Sequence, residues 1–197
     1  MVKLWLILAL MLASGQARAV FMDCLFFDGF EDSGTTPVGS PVTQAAALSA
    51  LQIHNCARKT VIPAASPAIP ILTWNSTVAT AAQNWANQCM FAHGDLGGFG
   101  QNIYAAAGFT PTLSDAAVAW AGEEPYYDYP NNTCNTADPP NTAGTCGHYT
   151  QVVWRSTMTV GCGFQACSTN SPFADFPNWD VIVCDYNPPG NNGSRPY

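Results

Sequence analysis

Apolar residues recur along this chain with two different periods, and the change of period orders it. A ten-residue apolar run from Leu4 to Ala13 is followed by a stretch rich in Gly, Ser, Thr and Pro, Ser33 to Pro41. A helical pattern begins at Thr43, where Leu48, Leu51 and Asn55 share a face within an Ala-rich, helix-favouring run. Pro63, Pro67 and Pro70 interrupt regular structure. A second helix is predicted to start at Leu72 to Asn75, with Val78, Ala82, Trp85 and Cys89 as one buried stripe, His93 one turn further on and Gly94 as its stop. Pro111 and Thr112 open a third helix with the apolar face Leu113, Ala116, Ala117 and Trp120, closed by Pro125. The late chain switches to β-branched and aromatic runs, so Thr159 to Gln165 and Trp179 to Tyr186 read as paired strands. Pro188-Pro189-Gly190-Asn191 ends regular structure. Helices first and strands late predict an α+β domain.

Composition narrows the setting. Hydrophobic residues are 48% of the chain and charged residues only 10%, so the surface leans on uncharged polar side chains. A net charge of -7 with six Lys and Arg argues against nucleic acid and anionic membrane as electrostatic partners. Eight cysteines point to an oxidising compartment. Lys3, the short apolar run and Ala17-Arg18-Ala19 have the form of a secretory leader, and the run is too short to span a bilayer. The expected organisation is a signal peptide over 1–19, an arm and linker over 20–42 and one domain over 43–197, secreted and without a transmembrane segment. Asn75, Asn131 and Asn192 stand in glycosylation sequons, which matter only in a eukaryotic host.

Seven motifs then arrive in a fixed order: His54-Asn55-x-x-Arg58, the His93 after Cys89, Gly100-Gln101-Asn102, Trp120-x-x-Glu123, Gly147-His148-Tyr149-Thr150-Gln151, Gly161-Cys162-Gly163, and Cys184-Asp185-Tyr186-Asn187-Pro188. Together they resemble the CAP superfamily (cysteine-rich secretory proteins, antigen 5 and pathogenesis-related class 1 proteins), nearest the plant class. The resemblance implies a three-layer α-β-α sandwich stapled by disulfides. Eight cysteines allow 105 pairings. The resemblance implies Cys89–Cys167, Cys162–Cys184 and Cys134–Cys146, which leaves Cys24–Cys56 as the fourth expected pair.

The same resemblance implies a cleft of two histidines and two glutamates, here His93, Gln101, Glu123 and His148; helical periodicity alone would slightly favour Glu124, which is the second choice for the acid. His93, His148 and Glu123 compose a donor set for zinc, the one cofactor expected. Gln101 replaces a family glutamate. A hydrolytic zinc site needs a second carboxylate to take a proton from water, and an amide cannot do this. Catalysis is therefore not the expected activity, and no His-Glu-x-x-His or Gly-x-Ser-x-Gly is present to supply another kind. The competing reading of the four residues is a polar cluster knitting helices to sheet. His54 is expected to be a structural hydrogen-bonder. Family members bind sterols and fatty acids, for which Phe173, Phe176 and Trp179 are the candidate contacts. Tyr126, Tyr127 and Tyr129 are second candidates, with local packing as their plainer role. The tail from Pro188 to Tyr197 resembles a plant peptide released for signalling, against the plainer reading of an ordered cap. The expected function is extracellular binding of a lipid, sterol or other ligand in defence, virulence or competition. The alternatives are a metal-dependent extracellular peptidase and a signalling-peptide precursor.

Overall fold

The computed structural model describes residues 41–94, 97–135 and 146–197. The expected leader, nearly all of the arm and linker, and Cys24 lie outside these residues. Helix α1, Gln44–Lys59, is capped by the Thr43 hydroxyl, which accepts from Ala46 N–H. Strand β1 is Thr73–Trp74, and helix α2, Ser76–Ala86, is capped by the Asn75 side chain on the N–H groups of Thr77 and Val78. Strand β2 is Gly100–Ala106. Helix α3, Leu113–Ala121, opens with a reciprocal capping box between Thr112 and Asp115. A short turn of 3-10 helix, Glu124–Tyr126, leads to a two-strand ribbon of β3, Tyr127–Asp128, and β4, Thr133–Cys134. Helix α4 is Gly147–Val152, and strands β5 and β6 are Thr159–Cys167 and Trp179–Asn187.

The main sheet has the order β1-β5-β6-β2, antiparallel except for the β1–β5 pair. Alternation along β6 builds the two cores. Trp179, Val181 and Val183 face α2 with Ala82, Ala86 and Ile103. Ile182, Cys184 and Tyr186 face the opposite way, into the larger core with Leu51, Trp120 and Tyr149 from α1, α3 and α4. The result is the expected α-β-α sandwich, with α2 alone on one side.

Gly161 and Gly163 let α2 approach this closely. A Cβ on Gly161 would lie 2.1 Å from the Ala79 backbone nitrogen, and one on Gly163 2.4 Å from Gln83 Cα. β1 is so short that β5 is left without a strand neighbour further along. Gln83 fills that place, donating from Nε2 to Phe164 O and accepting from Phe164 N–H at Oε1. Cys162 and Cys184 are directly opposed in the β5–β6 register and bonded to each other. Cys89–Cys167 and Cys134–Cys146 are also bonded. Cys56 is fully buried, while its expected partner Cys24 is outside the described residues.

Two sequence expectations change. The second helix ends at Ala86, and Cys89 adopts a left-handed backbone with φ 49°, which no right-handed helix contains. His93 is therefore carried by a loop, not by a helical stripe. Gly100–Ala106, unassigned from the sequence, is an edge strand.

Candidate functional site

The first-helix motif is a set of fasteners. His54 donates from Nδ1 to Ala50 O at 2.7 Å, and its Nε2 accepts from the Tyr186 hydroxyl at 2.8 Å. Asn55 makes a two-way bond with the Leu72 backbone. Arg58, 2% exposed, donates to four carbonyls, those of Pro70, Val152, Trp154 and Thr157. Three of those carbonyls lie in or just after α4, so Arg58 fixes the segment that carries His148. Gln151 is equally internal, donating to the Thr157 hydroxyl and accepting from Gly190 N–H. Of the signature's long polar side chains, only His148 turns outward, with its side chain 30% exposed.

Glu123 holds that histidine. One carboxylate oxygen lies 2.6 Å from His148 Nδ1, and the other accepts from the backbone N–H groups of His148 and Tyr149. The carboxylate caps the first turn of α4 and directs the imidazole in one step, which leaves Nε2 pointing away from it. From behind, Asn102 donates to His148 O and to the Tyr186 hydroxyl. Side chains thus link α1 to the histidine: Ala50 O, His54, Tyr186, Asn102, His148 O.

His93 is exposed and is held by its neighbours on both sides. Trp85 Nε1 donates to Ala92 O, and Gly94 lies so close to the Trp85 ring that a Cβ there would overlap it. His93 Nδ1 is 3.3 Å from Gln101 Oε1, and Gln101 Nε2 donates to Asp185 at 3.0 Å. Alternation along β2 places Gln101 on the α2 face with Ile103, and Asn102 on the other face with Tyr186. The four cleft residues are thus two separate pairs, His93–Gln101 and Glu123–His148, flanking an edge strand. Among the described residues no three His, Cys, Asp or Glu side chains converge on one point. Both oxygens of Glu123 are already engaged. His93, His148 and Glu123 therefore do not fit a three-ligand zinc site as they stand.

Asp185 is the residue that sequence reasoning passed over. It is 2% exposed, and burial pushes its carboxyl up to about 7 from 3.8, opposed by the Gln101 hydrogen bond. Burial acts oppositely on His54, holding it down at about 4 from 6.5 against the Ala50 carbonyl. As pH falls from 6.5 to about 4, the unfolded chain protonates His54 and the fold does not, so His54 subtracts stability. Asp185 holds a proton in the fold from 3.8 up to about 7 that the unfolded chain has released. Its contribution is complete at low pH and is lost as pH rises through about 7. Each amounts to roughly 3–4 kcal/mol, and the signs oppose. Asp185→Asn removes one side of the balance. We expect the variant to lose about 3 kcal/mol more than wild type between neutral pH and about pH 4, measured by urea midpoints. Parallel pH profiles for the two proteins would refute this.

The candidate lipid contacts separate. Trp179 is 2% exposed, in the core, with Nε1 donating to Thr169 O. As the first residue of β6 it points inward, so it reaches the surface only as part of a groove wall. Phe173 is partly buried against the same core. Phe176 is 49% exposed, and Phe109, not singled out in the sequence, is 48% exposed. A Cβ on Gly108 would lie 3.8 Å from the Phe176 ring. Beside them is an open groove of about 520 Å³, lined by Gly108, Phe109, Cys167, Trp179 and Asp180 among others. Tyr127 and Tyr129 pack locally, against Tyr149 and Tyr197 respectively. The tail is docked: Arg155 N–H donates to Pro196 O, Tyr197 donates to Ile62 O, and Arg195 bonds Tyr129 O.

The pattern that defines the CAP family, "Cysteine-rich secretory protein family", matches residues 51–186. The chain belongs to the CAP family. Pathogenesis-related protein 1A of Nicotiana tabacum is 37% identical over 152 residues, covering 75% of this chain and 78% of that protein. Among solved structures, the Schistosoma mansoni venom allergen-like protein 4 aligns with a TM-score of 0.58 and 29% identity, over 79% of this chain and 95% of its own. NaASP2, crystallised with Zn2+, aligns with a TM-score of 0.63 and 26% identity, over 82% and 88%. The three disulfides among the described residues of this CAP protein fit an oxidising, extracellular setting. No helix among the described residues is long and apolar enough to cross a membrane.

Proposed function

We propose that this CAP protein is secreted and binds an apolar, lipid-like ligand outside the cell, in defence, virulence or competition, and that it is not a hydrolase. The observation that carries the reading is the pair Phe109 and Phe176. Two phenylalanines from separate loops stand about half exposed beside one groove, and exposed aromatic surface of this kind marks contact. Against hydrolysis stand the amide at Gln101 and a Glu123 carboxylate wholly occupied by N–H groups. NaASP2 was crystallised with Zn2+, but here no three His, Cys, Asp or Glu side chains converge among the described residues, and no step of the proposed function passes through a metal. The docked tail supports an ordered cap over a released peptide.

The test is titration of a fluorescent fatty acid and a fluorescent sterol into the mature protein and into the double variant Phe109→Ser, Phe176→Ser. The expected result is binding by the wild type, weakened roughly tenfold or more in the variant, with an unchanged circular dichroism spectrum. Equal affinity in both proteins would remove the groove from the reading. No binding of either probe by the wild type would remove the lipid.

A further inference from the structure

Gln101 stands between groups whose hydrogen-bonding roles chemistry has already fixed. Its Nε2 is 3.0 Å from Oδ1 of Asp185, its partner in the β2–β6 register. Above about pH 7, where Asp185 is ionised, its carboxylate only accepts, so the amide nitrogen must face it. On the other side, Gln101 Oε1 is 3.2 Å from the backbone nitrogen of Gly94, which only donates. Two independent partners therefore select the same orientation of the amide. His93 Nδ1 approaches that same Oε1 at 3.3 Å. Only an N–H can face an amide oxygen there, so the proton of the neutral ring is on Nδ1 and the lone pair is on Nε2.

We propose that Asp185 is a positioning residue of the cleft: through Gln101 it holds His93 in the Nδ1–H tautomer, so that Nε2 is offered as an acceptor to a hydroxyl or ammonium group of a bound molecule. Glu123 does the same for His148 by direct contact. For His93 the carboxylate stands one residue further back, buried behind an amide. The negative charge that Gln101 lacks is thus retained at the strand pair but withdrawn from solvent. A neutral amide at 185 could turn over and allow Gln101 to turn with it, whereas a carboxylate cannot. The proposal shares no residue with the Phe109–Phe176 groove and does not depend on it.

The chain has only three histidines, so long-range 1H–15N spectra of histidine-labelled mature protein at about pH 8 resolve each ring's tautomer. The expected wild-type spectrum shows His93 as Nδ1–H. In Asp185→Ala only the Gly94 N–H is left to orient the amide, so the Nδ1–H fraction of His93 falls measurably, while the His54 and His148 signals stay in place and report an intact fold. Asp185→Asn, which preserves the size of the side chain, is read in the same way. The double variant Asp185→Asn, Gln101→Glu moves the carboxylate directly onto His93 and should restore Nδ1–H. A wild-type His93 found as Nε2–H would overturn the proposal. So would a His93 tautomer that is the same in Asp185→Ala and Asp185→Asn as in wild type.

Discussion

Gly161→Ala is expected to cost about 3–5 kcal/mol, enough to unfold a domain of ordinary stability. The added methyl would meet the Ala79 nitrogen at 2.1 Å, the Ala79 Cα at 2.6 Å and Asn75 O at 2.7 Å. All three are backbone atoms of α2 or its cap, so no rotamer change relieves the overlap. The helix must lift from β5. Lifting it strips Ala82 and Ala86 from their contacts with Val181 and Val183 and breaks the two bonds between Gln83 and the Phe164 backbone. Urea unfolding measures the loss directly. A midpoint equal to that of the wild type would mean that α2 is not seated on β5 as described. Gly163→Ala should behave similarly, because its methyl would meet Gln83 Cα at 2.4 Å.

Arg58→Met is expected to cost about 4–5 kcal/mol although methionine fills much of the same volume. The guanidinium is buried, and among the described residues no carboxylate pairs with it. Desolvation is the chief reason that Arg58 is pulled down to about 10, with the charge of Arg155 adding to it. It remains a cation at neutral pH. Four carbonyl dipoles serve as its counter-charge, at 2.8 to 3.0 Å. Methionine leaves the carbonyls of Val152 and Thr157 without that donor in a closed interior and that of Pro70 without it at the partly buried edge, while Trp154 O keeps the Thr157 N–H. Lysine brings a single ammonium in place of a planar fork and should recover only part of the loss. Thermal and urea unfolding of the two variants separate these cases, and a methionine variant as stable as wild type would show that the carbonyls find other donors.

The sequence carried the elements whose side chains follow a period. α1, α3, β5 and β6 were legible because Leu51, Trp120 and the alternating Val181 to Cys184 repeat at the spacing of a buried face. β2 was not, because its inward residues include Gln101 and Asn102, which are held by hydrogen bonds and not by hydrophobic contact. α2 read too long for a related reason. The apolar spacing continues through Cys89, but the disulfide, not a helix turn, accounts for that residue. At the site, Glu123 and His148 came from motif resemblance and do meet. Asp185 had no periodic signal, since a lone acid in a strand looks like a surface residue until its register partner is known. Trp179 was taken for a surface contact for the same cause: which face of a strand end meets solvent is set by the neighbouring layer.

The disulfides also overlap along the chain. Cys89–Cys167 and Cys162–Cys184 share the interval between Cys162 and Cys167. A single proteolytic cut anywhere between Cys89 and Cys184 therefore releases no fragment. His93, Gln101, Glu123, His148 and both groove phenylalanines all lie in that interval. In protease-rich surroundings the molecule survives a first nick as one covalent body with every candidate contact still attached, and the damage is visible only after reduction.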